Sequence, residues 1–370
     1  MHTRSAVWRT EHVGSLLRPA ELVALRLALL QGRGDPDALR EVEDRAILSS
    51  LQRQVAAGLD VVGDGEMRRF SFMGEVTSAW EGFAPGDLPN PDWFGEQGRT
   101  NPGSRAMLVV SRLAPRRRVA QAEAAFLREH ASRPFKVTLP SPLVLAQACW
   151  RSGVSEGAYR RRADFMWEAA DFLRAEVSLL AAEGVPYLQI DNPGLAYYLD
   201  PDLRNRAEAL GVGVDIPLEE AVAADAHVLR DLPDGSPVVG LHVCRGNWNS
   251  SWLATGGFQP IADAIFTLPR VDRFLLEYDS PRAGGFEVLR HVPPEKTIVL
   301  GLVSTKHGRL EDMSTLLRRV EEASRYVPLN RLALSPQCGF ATSVPGNRIS
   351  ENDQWAKIDL LTGLAQRLWG

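Results

Sequence analysis

His242 and Cys244 are two positions apart, and both are residue types that bind metal ions. They lie in the apolar run VVGLHVC, and alternate residues of a β-strand point to the same face. Glu277 lies near the end of the next β-rich run, and Cys338 lies just beyond the last one. One imidazole, two thiolates and one carboxylate form a suitable tetrahedral ligand set for zinc. The sequence therefore predicts a Zn²⁺ site at His242, Cys244, Glu277 and Cys338.

Each of these residue types also has an ordinary structural role. A single buried cysteine usually packs as a small apolar residue, and a single histidine is usually a hydrogen-bonded polar group. Cys149 follows LVLAQA with no ligand-type neighbour, so it fits the structural interpretation. The four proposed ligands instead fall at the ends of separate β-rich runs, and this placement favours metal binding.

A second set of polar residues also follows β-rich runs. Ser15 lies in HVGSLLRP, Asp64 and Glu66 lie in VVGDGEMRR, and Asp191 lies in LQIDNPG. A single carboxylate of this kind is equally consistent with a surface loop or a helix N-cap, but the set predicts a pocket for an amine or another cation. Nearby arginines offer the alternatives of ion pairing with these carboxylates or of holding an anionic group: Arg18, Arg68 and Arg69.

The elements that must position these residues alternate between β-rich runs and helical patterns. The predicted strands from residue 135 onward are 135–139, 186–191, 238–244, 273–278, 297–303 and 331–336. Helical patterns lie near 157–183, 219–230, 283–291, 312–326 and 351–369, and Gly184 is placed to end the first. Such alternation predicts a parallel sheet.

Two further strands are predicted at 11–16 and 59–64, separated by a helical stretch near 35–57. Eight strands favour a single (β/α)₈ TIM barrel over residues 1–370, whose active face is formed by the C-terminal strand ends. No GxGxxG motif follows the first strand, so a dinucleotide-binding fold is not supported. Residues 80–134 break the alternation, and we predict that they are an insertion after strand 2 that covers the barrel mouth.

The composition excludes several other classes of protein. The 370 residues carry a formal net charge of −4, which gives no basic field for nucleic acid. Neither a signal peptide nor a run of membrane-spanning length is present, so we expect no membrane association. Three widely spaced cysteines argue against a disulfide framework, and a cytoplasmic location is expected. The sequence leaves the oligomeric state open.

The ordered motifs resemble those of the cobalamin-independent methionine synthase family. The chain is similar to the C-terminal catalytic barrel of that family, standing alone. The matching segments are HVGSLLRP, VVGDGEMRR, LQIDNP, LHVC, LLEYDSP and SPQCG, between His12 and Gly339. The resemblance implies zinc held by His242, Cys244, Glu277 and Cys338. It also implies a homocysteine site formed by Ser15, Glu66 and Asp191 with the backbone of Val13.

The resemblance further implies transfer of a methyl group to a zinc-activated thiol, because zinc coordination deprotonates a bound thiol. Glu277, the hardest donor of the set, is expected to loosen as the substrate sulfur enters. Trp150, in QACWRSG, resembles an aromatic residue that stacks on the pterin of 5-methyltetrahydrofolate in the family. A core tryptophan is the equally weighted alternative.

The chain departs from the family at two places. Asn192 replaces the acidic residue of the IDEP motif, and Lys306 stands where the family has a histidine, with His307 shifted by one. Lys306 and His307 are the candidate proton donors to the leaving group. These departures keep other alkyl donors open: a methylated corrinoid, or an epoxide as in epoxyalkane:coenzyme M transferase, which opens the ring with a zinc-bound thiolate. A non-catalytic zinc- or thiol-binding protein is the alternative from another class.

Overall fold

The computed structural model describes residues 7–213, 215–233 and 237–370. The strands of these residues are β1 (Trp80–Asp87), β2 (Trp93–Gly95), β3 (Gly98–Thr100), β4 (Arg105–Pro115), β5 (Lys136–Pro140), β6 (Tyr187–Asp191), β7 (Val238–Val243), β8 (Arg273–Glu277), β9 (Thr297–Val303) and β10 (Leu332–Pro336).

Strands β5 to β10 form one parallel six-stranded sheet, and each strand lies beside its neighbour in sequence. Nearly every residue of these strands is buried, as expected for a parallel sheet covered on both faces. The six strands predicted from residue 135 onward are confirmed, each within about one residue of its predicted bounds.

The two strands predicted at 11–16 and 59–64 are wrong as strands. These segments form only isolated parallel bridges, Thr10 with Leu334, Glu11 with Val61, and Val62 with Phe135. Side chains take the place of a longer ladder: Gln54 bonds both the N–H and the carbonyl of Gly63, at 2.9 and 2.8 Å. The backbone is therefore satisfied without strand pairing.

The helices of the described residues are α1 (Ala20–Leu30), α2 (Pro36–Ala57), α3 (Gly74–Ala79), α4 (Gln121–His130), α5 (Pro142–Cys149), α6 (Arg162–Ala182), α7 (Ala196–Leu199), α8 (Pro201–Ala209), α9 (Leu218–Leu229), α10 (Ala262–Phe266), α11 (Met313–Ser324) and α12 (Glu351–Trp369). Short 3₁₀ helices span Pro193–Leu195, Gln259–Ile261, Pro281–Ala283, Glu287–His291 and Leu329–Arg331.

Most of the predicted helices are confirmed, and Gly184 follows α6 with a φ of 81°, as its predicted role requires. The helix predicted near 283–291 is wrong, because this stretch holds the last residue of one 3₁₀ helix and the whole of a second, Glu287–His291, with Gly284 and Gly285 between them. Within the described ranges, no helix is both long and apolar enough to cross a membrane.

Residues 80–134 lie outside the six-stranded sheet. Strands β1 and β4 form one antiparallel pair, β2 and β3 form a small hairpin, and α4 follows. Phe94 of the β2–β3 hairpin pairs through its backbone with Trp252, in the loop after β7. Glu96, at the turn of the same hairpin, forms a salt bridge with Arg309 in the loop after β9. The hairpin therefore spans two loops that follow strands of the sheet.

Candidate metal and substrate site

His242, Cys244 and Cys338, here named the metal-ligand cluster, converge at the C-terminal edge of the sheet. One ring nitrogen of His242 and the Sγ atoms of Cys244 and Cys338 all lie within 4.8 Å of one another, and all three residues are buried. Strand β7 carries His242 and ends one residue before Cys244, whereas Cys338 follows β10 by two residues. Residues almost a hundred positions apart in sequence therefore lie together. Their imidazole nitrogen and two sulfur atoms are borderline or soft ligands, a set that suits zinc.

Hydrogen bonding and charge within the cluster favour a cysteine thiolate. A hydrogen bond from Cys338, helped by the charge of His242, lowers the pKa of Cys244 and raises that of Cys338. Burial by itself lowers the pKa of His242, but the charge of Cys244 and the hydrogen bond to Asp191 outweigh it and raise the pKa to about 10.

Asp191 holds the imidazole of His242 in place. Asp191 Oδ1 lies 2.9 Å from His242 Nδ1, and His242 Nε2 is buried without a hydrogen bond. A carboxylate behind a histidine in this way orients the ring and leaves the other nitrogen for a metal. Asp191 is a residue that the resemblance assigns to the thiol substrate, and the structure brings it into contact with the metal-ligand cluster.

Glu277, the fourth predicted ligand, lies outside the 4.8 Å group. Its Oε2 accepts a hydrogen bond of 2.7 Å from the N–H of Arg245, and its Oε1 lies 3.5 Å from Arg282 Nη2 and 3.8 Å from Lys306 Nζ. Burial by itself raises the pKa of Glu277, but the charges of Lys306 and Arg245 hold it below its usual value. Glu277 is therefore a buried, ionised carboxylate, and its Oε1 accepts no hydrogen bond.

Lys306 and His307, the predicted proton donors, lie in the loop after β9. Lys306 is buried, and its Nζ makes no hydrogen bond. Burial and the positive charges of Lys357 and Arg309 lower the pKa of half-buried His307. Lys306 contacts the Glu277 carboxylate directly, so of the two residues it has the closer connection to the predicted ligands.

Ser15 lies against the turn that carries Cys338. The carbonyl of Ser15 accepts a hydrogen bond of 2.7 Å from Phe340 N, and its Oγ accepts one of 3.3 Å from Ala341 N. A Cβ atom on Gly339 would collide with Ser15 Oγ, so glycine allows the close approach of this turn to Ser15. The predicted substrate turn and the turn bearing a predicted metal ligand are thus interlocked.

Glu66 occupies a backbone conformation that is rare for a residue with a side chain. Its φ is 56°, and its N–H donates to Asp64 Oδ1 at 2.9 Å. Such strain is typical of functional sites. Glu66 Oε1 accepts from Thr138 Oγ1 at 3.2 Å, whereas Oε2 is buried without a partner. Burial raises the pKa of Glu66 against the opposing charge of Arg69.

Val13 and Trp150 are placed differently. The carbonyl of Val13 accepts a hydrogen bond of 2.7 Å from Gln189 Nε2, which also contacts Asp191.

Trp150 is 6% exposed; its Nε1 donates to the carbonyl of Tyr159 at 3.1 Å, and the Arg162 guanidinium lies 4.8 Å from its ring centre. These contacts tie Trp150 to the packing around α6, whereas Val13 is linked to the metal-ligand cluster through Gln189.

Arg245 and Gln189 were not predicted as site residues from the sequence. Arg245 is fully buried and bonds Glu277 through both its backbone N–H and its guanidinium, the latter to the Glu277 carbonyl at 3.1 Å. Its position directly after Cys244 is the one available sequence signal. Gln189 lies two residues before Asp191 on β6, where alternation places both side chains on one face.

The protein class follows from comparison with known families. Residues 8–350 match the model of the cobalamin-independent synthase catalytic domain. This match covers most of the chain, and the chain belongs to that family.

Individual relatives extend over nearly the whole chain. The Bacillus subtilis (strain 168) protein YxjG, named as uncharacterized, is 34% identical over 373 residues, which cover 98% of this chain and 95% of YxjG. The methionine synthase of Pyrococcus abyssi (strain GE5 / Orsay) is 23% identical over 335 residues, covering 90% of this chain and 86% of its own.

The structure of a B12-independent methionine synthase from Shewanella sp. W3-18-1, in complex with selenomethionine, superposes with a TM-score of 0.74. The match covers 98% of both chains at 20% identity. At this identity the likeness supports a shared fold.

Proposed function

We propose that this protein is a zinc-dependent S-methyltransferase that methylates homocysteine to form methionine, with 5-methyltetrahydrofolate or a methylated corrinoid as methyl donor. The observation that carries the proposal is the metal-ligand cluster, whose three donor atoms lie within 4.8 Å of one another at the edge where the predicted thiol pocket meets the sheet. Membership of the cobalamin-independent synthase family supports the same class of reaction.

The residues fit a bound zinc ion. His242 Nε2 and Glu277 Oε1 are buried without hydrogen bonds, and burying such atoms is costly unless a further partner is present. His242, Cys244 and Cys338 would hold the ion, with Glu277 as the fourth ligand. When bound, zinc supplies the Lewis acidity that lowers the pKa of a substrate thiol.

The polar groups beside the metal-ligand cluster suit the amino-acid part of homocysteine. Glu66 Oε2 is buried without a partner, and Asp191 uses only Oδ1 in its hydrogen bonds to Gln189 and His242. These carboxylates would bind the substrate ammonium, and Ser15 with the Val13 carbonyl would complete the pocket.

Lys306 is the proposed proton donor. Methyl transfer forms a sulfur–carbon bond and breaks the bond between that carbon and the donor; with 5-methyltetrahydrofolate the leaving nitrogen must take a proton, whereas a corrinoid would leave as Co(I) without one. Lys306 Nζ is buried, makes no hydrogen bond and lies 3.8 Å from Glu277 Oε1. His307, with its lowered pKa, is the second candidate in the same loop.

We also infer that the chain closes into a single (β/α)₈ barrel. The parallel bridges Thr10–Leu334, Glu11–Val61 and Val62–Phe135 join the two outer strands of the six-stranded sheet through two further extended segments. The order of neighbours around such a ring is the order along the chain, as in TIM barrels. Residues 80–134 would be an insertion covering the mouth, which the contacts of the β2–β3 hairpin support.

We further propose a cytoplasmic location. Cys149, Cys244 and Cys338 are free and buried. Unpaired cysteines that serve as metal ligands are typical of a reducing compartment.

One experiment tests the proposal. The zinc-loaded enzyme is incubated with homocysteine and with coenzyme M, each in parallel with methyltetrahydrofolate, methylcobalamin and a short epoxide, and products are identified by mass. We expect methionine from homocysteine with one of the methyl donors, and none from the Cys338→Ser variant. X-ray absorption at the zinc edge should gain a sulfur neighbour on addition of homocysteine.

Other outcomes identify the alternatives. Hydroxyalkyl coenzyme M as the sole product would replace the proposal with epoxide opening. A protein that binds zinc and homocysteine but alkylates neither thiol with any of these donors would point to a non-catalytic binding protein. Alkylation that survives complete metal removal would exclude the zinc mechanism.

A further inference from the structure

We infer that Gln189 is a positioning residue that sets the orientation of the metal ligand His242 and links it to the substrate turn at Val13. This inference rests on the proposed zinc site. Gln189 is fully buried on β6, and no part of the family resemblance assigns it a role.

The orientation of the Gln189 amide is fixed by its neighbours. Lys136 Nζ lies 2.7 Å from Gln189 Oε1, and an ammonium group can only donate. The amide oxygen must therefore face Lys136. The NH₂ group then faces the carbonyl of Val13 at 2.7 Å and Asp191 Oδ1 at 2.8 Å. Each amide hydrogen has one acceptor, and the side chain has no freedom to flip.

This fixed amide holds the carboxylate of Asp191, which accepts the ring proton of His242. Asp191 Oδ1 accepts from Gln189, and the same oxygen lies 2.9 Å from His242 Nδ1. Nδ1 therefore donates to Asp191. When a metal takes the lone pair of Nε2, the remaining ring proton stays on Nδ1. Gln189 thus acts on the metal ligand through Asp191, without contacting the metal itself.

The same amide couples the ligand to the thiol pocket. One hydrogen of Nε2 holds the Val13 carbonyl, two residues before Ser15, and the other holds Asp191. A shift of the substrate turn would move the amide and, with it, the carboxylate behind His242. Metal binding and thiol binding are therefore expected to be linked through Gln189.

Lys136, which fixes the amide oxygen of Gln189, is itself held by ion pairs in the sheet interior. Lys136 also pairs with Glu11 Oε2 at 2.8 Å, and Glu11 Oε1 accepts from Arg273 at 3.0 Å. These buried ion pairs, here named the interior charge cluster (Glu11, Lys136 and Arg273), hold Lys136 in position. The chain of contacts thus runs from the interior charge cluster through Gln189 and Asp191 to the metal-ligand cluster.

The test compares Gln189→Leu and Gln189→Glu with the wild-type zinc protein. Leucine removes all three hydrogen bonds, and glutamate keeps the bond from Lys136 but cannot donate to Asp191 or Val13. Zinc affinity is measured by competition with a chromophoric chelator, and ligand geometry by the absorption spectrum of the cobalt(II)-substituted protein. We expect zinc affinity to fall about 10- to 100-fold in both variants, the usual effect of losing an outer partner of a metal ligand.

We also expect the cobalt(II) bands to change, and the spectral response to homocysteine to weaken. A residue that served only for stability would not move these signals in a folded protein. Gln54→Leu is the matched control, because Gln54 is also a fully buried glutamine with three hydrogen bonds, made to Ser50 and Gly63. Its zinc affinity and cobalt spectrum should match those of the wild type.

Cys338→Ser distinguishes a failure of the proposed role of Gln189 from a failure of the zinc site itself. If Cys338→Ser loses zinc while both Gln189 variants bind it with wild-type affinity and spectrum, the role of Gln189 is refuted and the zinc site stands. If Cys338→Ser also keeps wild-type affinity, the zinc site itself is wrong, and the inference falls with it. Should Gln189→Leu fail to fold, Gln189→Glu, which retains the Lys136 contact, carries the test.

Discussion

The interior charge cluster and the metal-ligand cluster lie on the same sheet but satisfy their polar atoms differently. Both oxygens of Glu11 are hydrogen-bonded, to Arg273, Lys136 and Tyr187. At the C-terminal edge, by contrast, buried atoms remain without hydrogen bonds: His242 Nε2, Glu277 Oε1 and Lys306 Nζ.

This difference distinguishes buried polar groups that stabilise the fold from buried polar groups that are available to bind a ligand. A buried charge that is fully paired stabilises one arrangement of the strands, and removing one partner leaves the other exposed to a low dielectric. A buried atom without a partner is costly to the protein alone. The C-terminal edge therefore leaves donor and acceptor atoms available to a ligand, whereas the Glu11 carboxylate of the sheet interior has partners on both oxygens.

The largest effect is expected from breaking the metal-ligand cluster. Cys338→Ser should lower bound zinc from about one per chain to below about a tenth, because a serine hydroxyl is a much poorer zinc ligand than a thiolate. Zinc per chain is measured by plasma mass spectrometry after dialysis. Cys149→Ser is the control, since Cys149 is buried at the end of α5, where burial raises its pKa to about 12. Unchanged zinc in Cys338→Ser would contradict the ligand assignment.

The next prediction compares two buried lysines directly. Lys136→Met breaks the buried contacts to Glu11 and Gln189 and should lower the free energy of unfolding by about 3–5 kcal/mol. Lys306→Met removes a buried cation that makes no hydrogen bond and lies 3.8 Å from Glu277 Oε1; because Glu277 keeps its hydrogen bond from Arg245, that free energy should fall less than in Lys136→Met. Urea unfolding of the zinc-loaded proteins gives both values.

Lys306→Met should nevertheless slow methyl transfer by about 100-fold or more, the usual contribution of a general acid. Single-turnover rates of the folded variant measure this effect. The contrast between the two regions fails if Lys306→Met destabilises the protein as much as Lys136→Met, or if it transfers methyl groups at the wild-type rate.

The smallest effect is expected at the hairpin that spans the loops beside the metal-ligand cluster. Glu96→Lys replaces the exposed pair with Arg309 by two like charges, and exposed pairs contribute little. The KM for the thiol substrate should change by less than about threefold. Glu81→Lys, which alters another exposed pair, with Arg116, is the control. A change above about tenfold in Glu96→Lys alone would mean that the hairpin controls entry to the site.

The sequence predicted those parts of the fold that local patterns determine. Strands β5 to β10 are short, apolar and buried on both faces, so their composition identifies them. The segments near Glu11 and Val61 failed as strands because side chains of Gln54 and Gln189 take over backbone hydrogen bonds that a neighbouring strand would make. Helix α1 was missed since its apolar residues show little amphipathic pattern and Pro19 gives it no side-chain cap.

The site was predictable where residue type carries the chemistry. His242, Cys244 and Cys338 are ligand types at strand ends, and parallel topology brings strand ends together. Gln189 and Arg245 were not predictable in the same way, because a glutamine or arginine acquires its role from the particular acceptors it meets. Those acceptors are Val13 and Asp191 for Gln189, and Glu277 for Arg245, and they are distant in sequence or set by packing.

Gly339 has a consequence for any attempt to change the substrate of this protein. Because a Cβ atom at this position would collide with Ser15 Oγ, any side chain introduced there would have to move Ser15, a residue of the proposed pocket. Changes to thiol selectivity are therefore better directed at Glu66, whose Oε2 is buried without a partner.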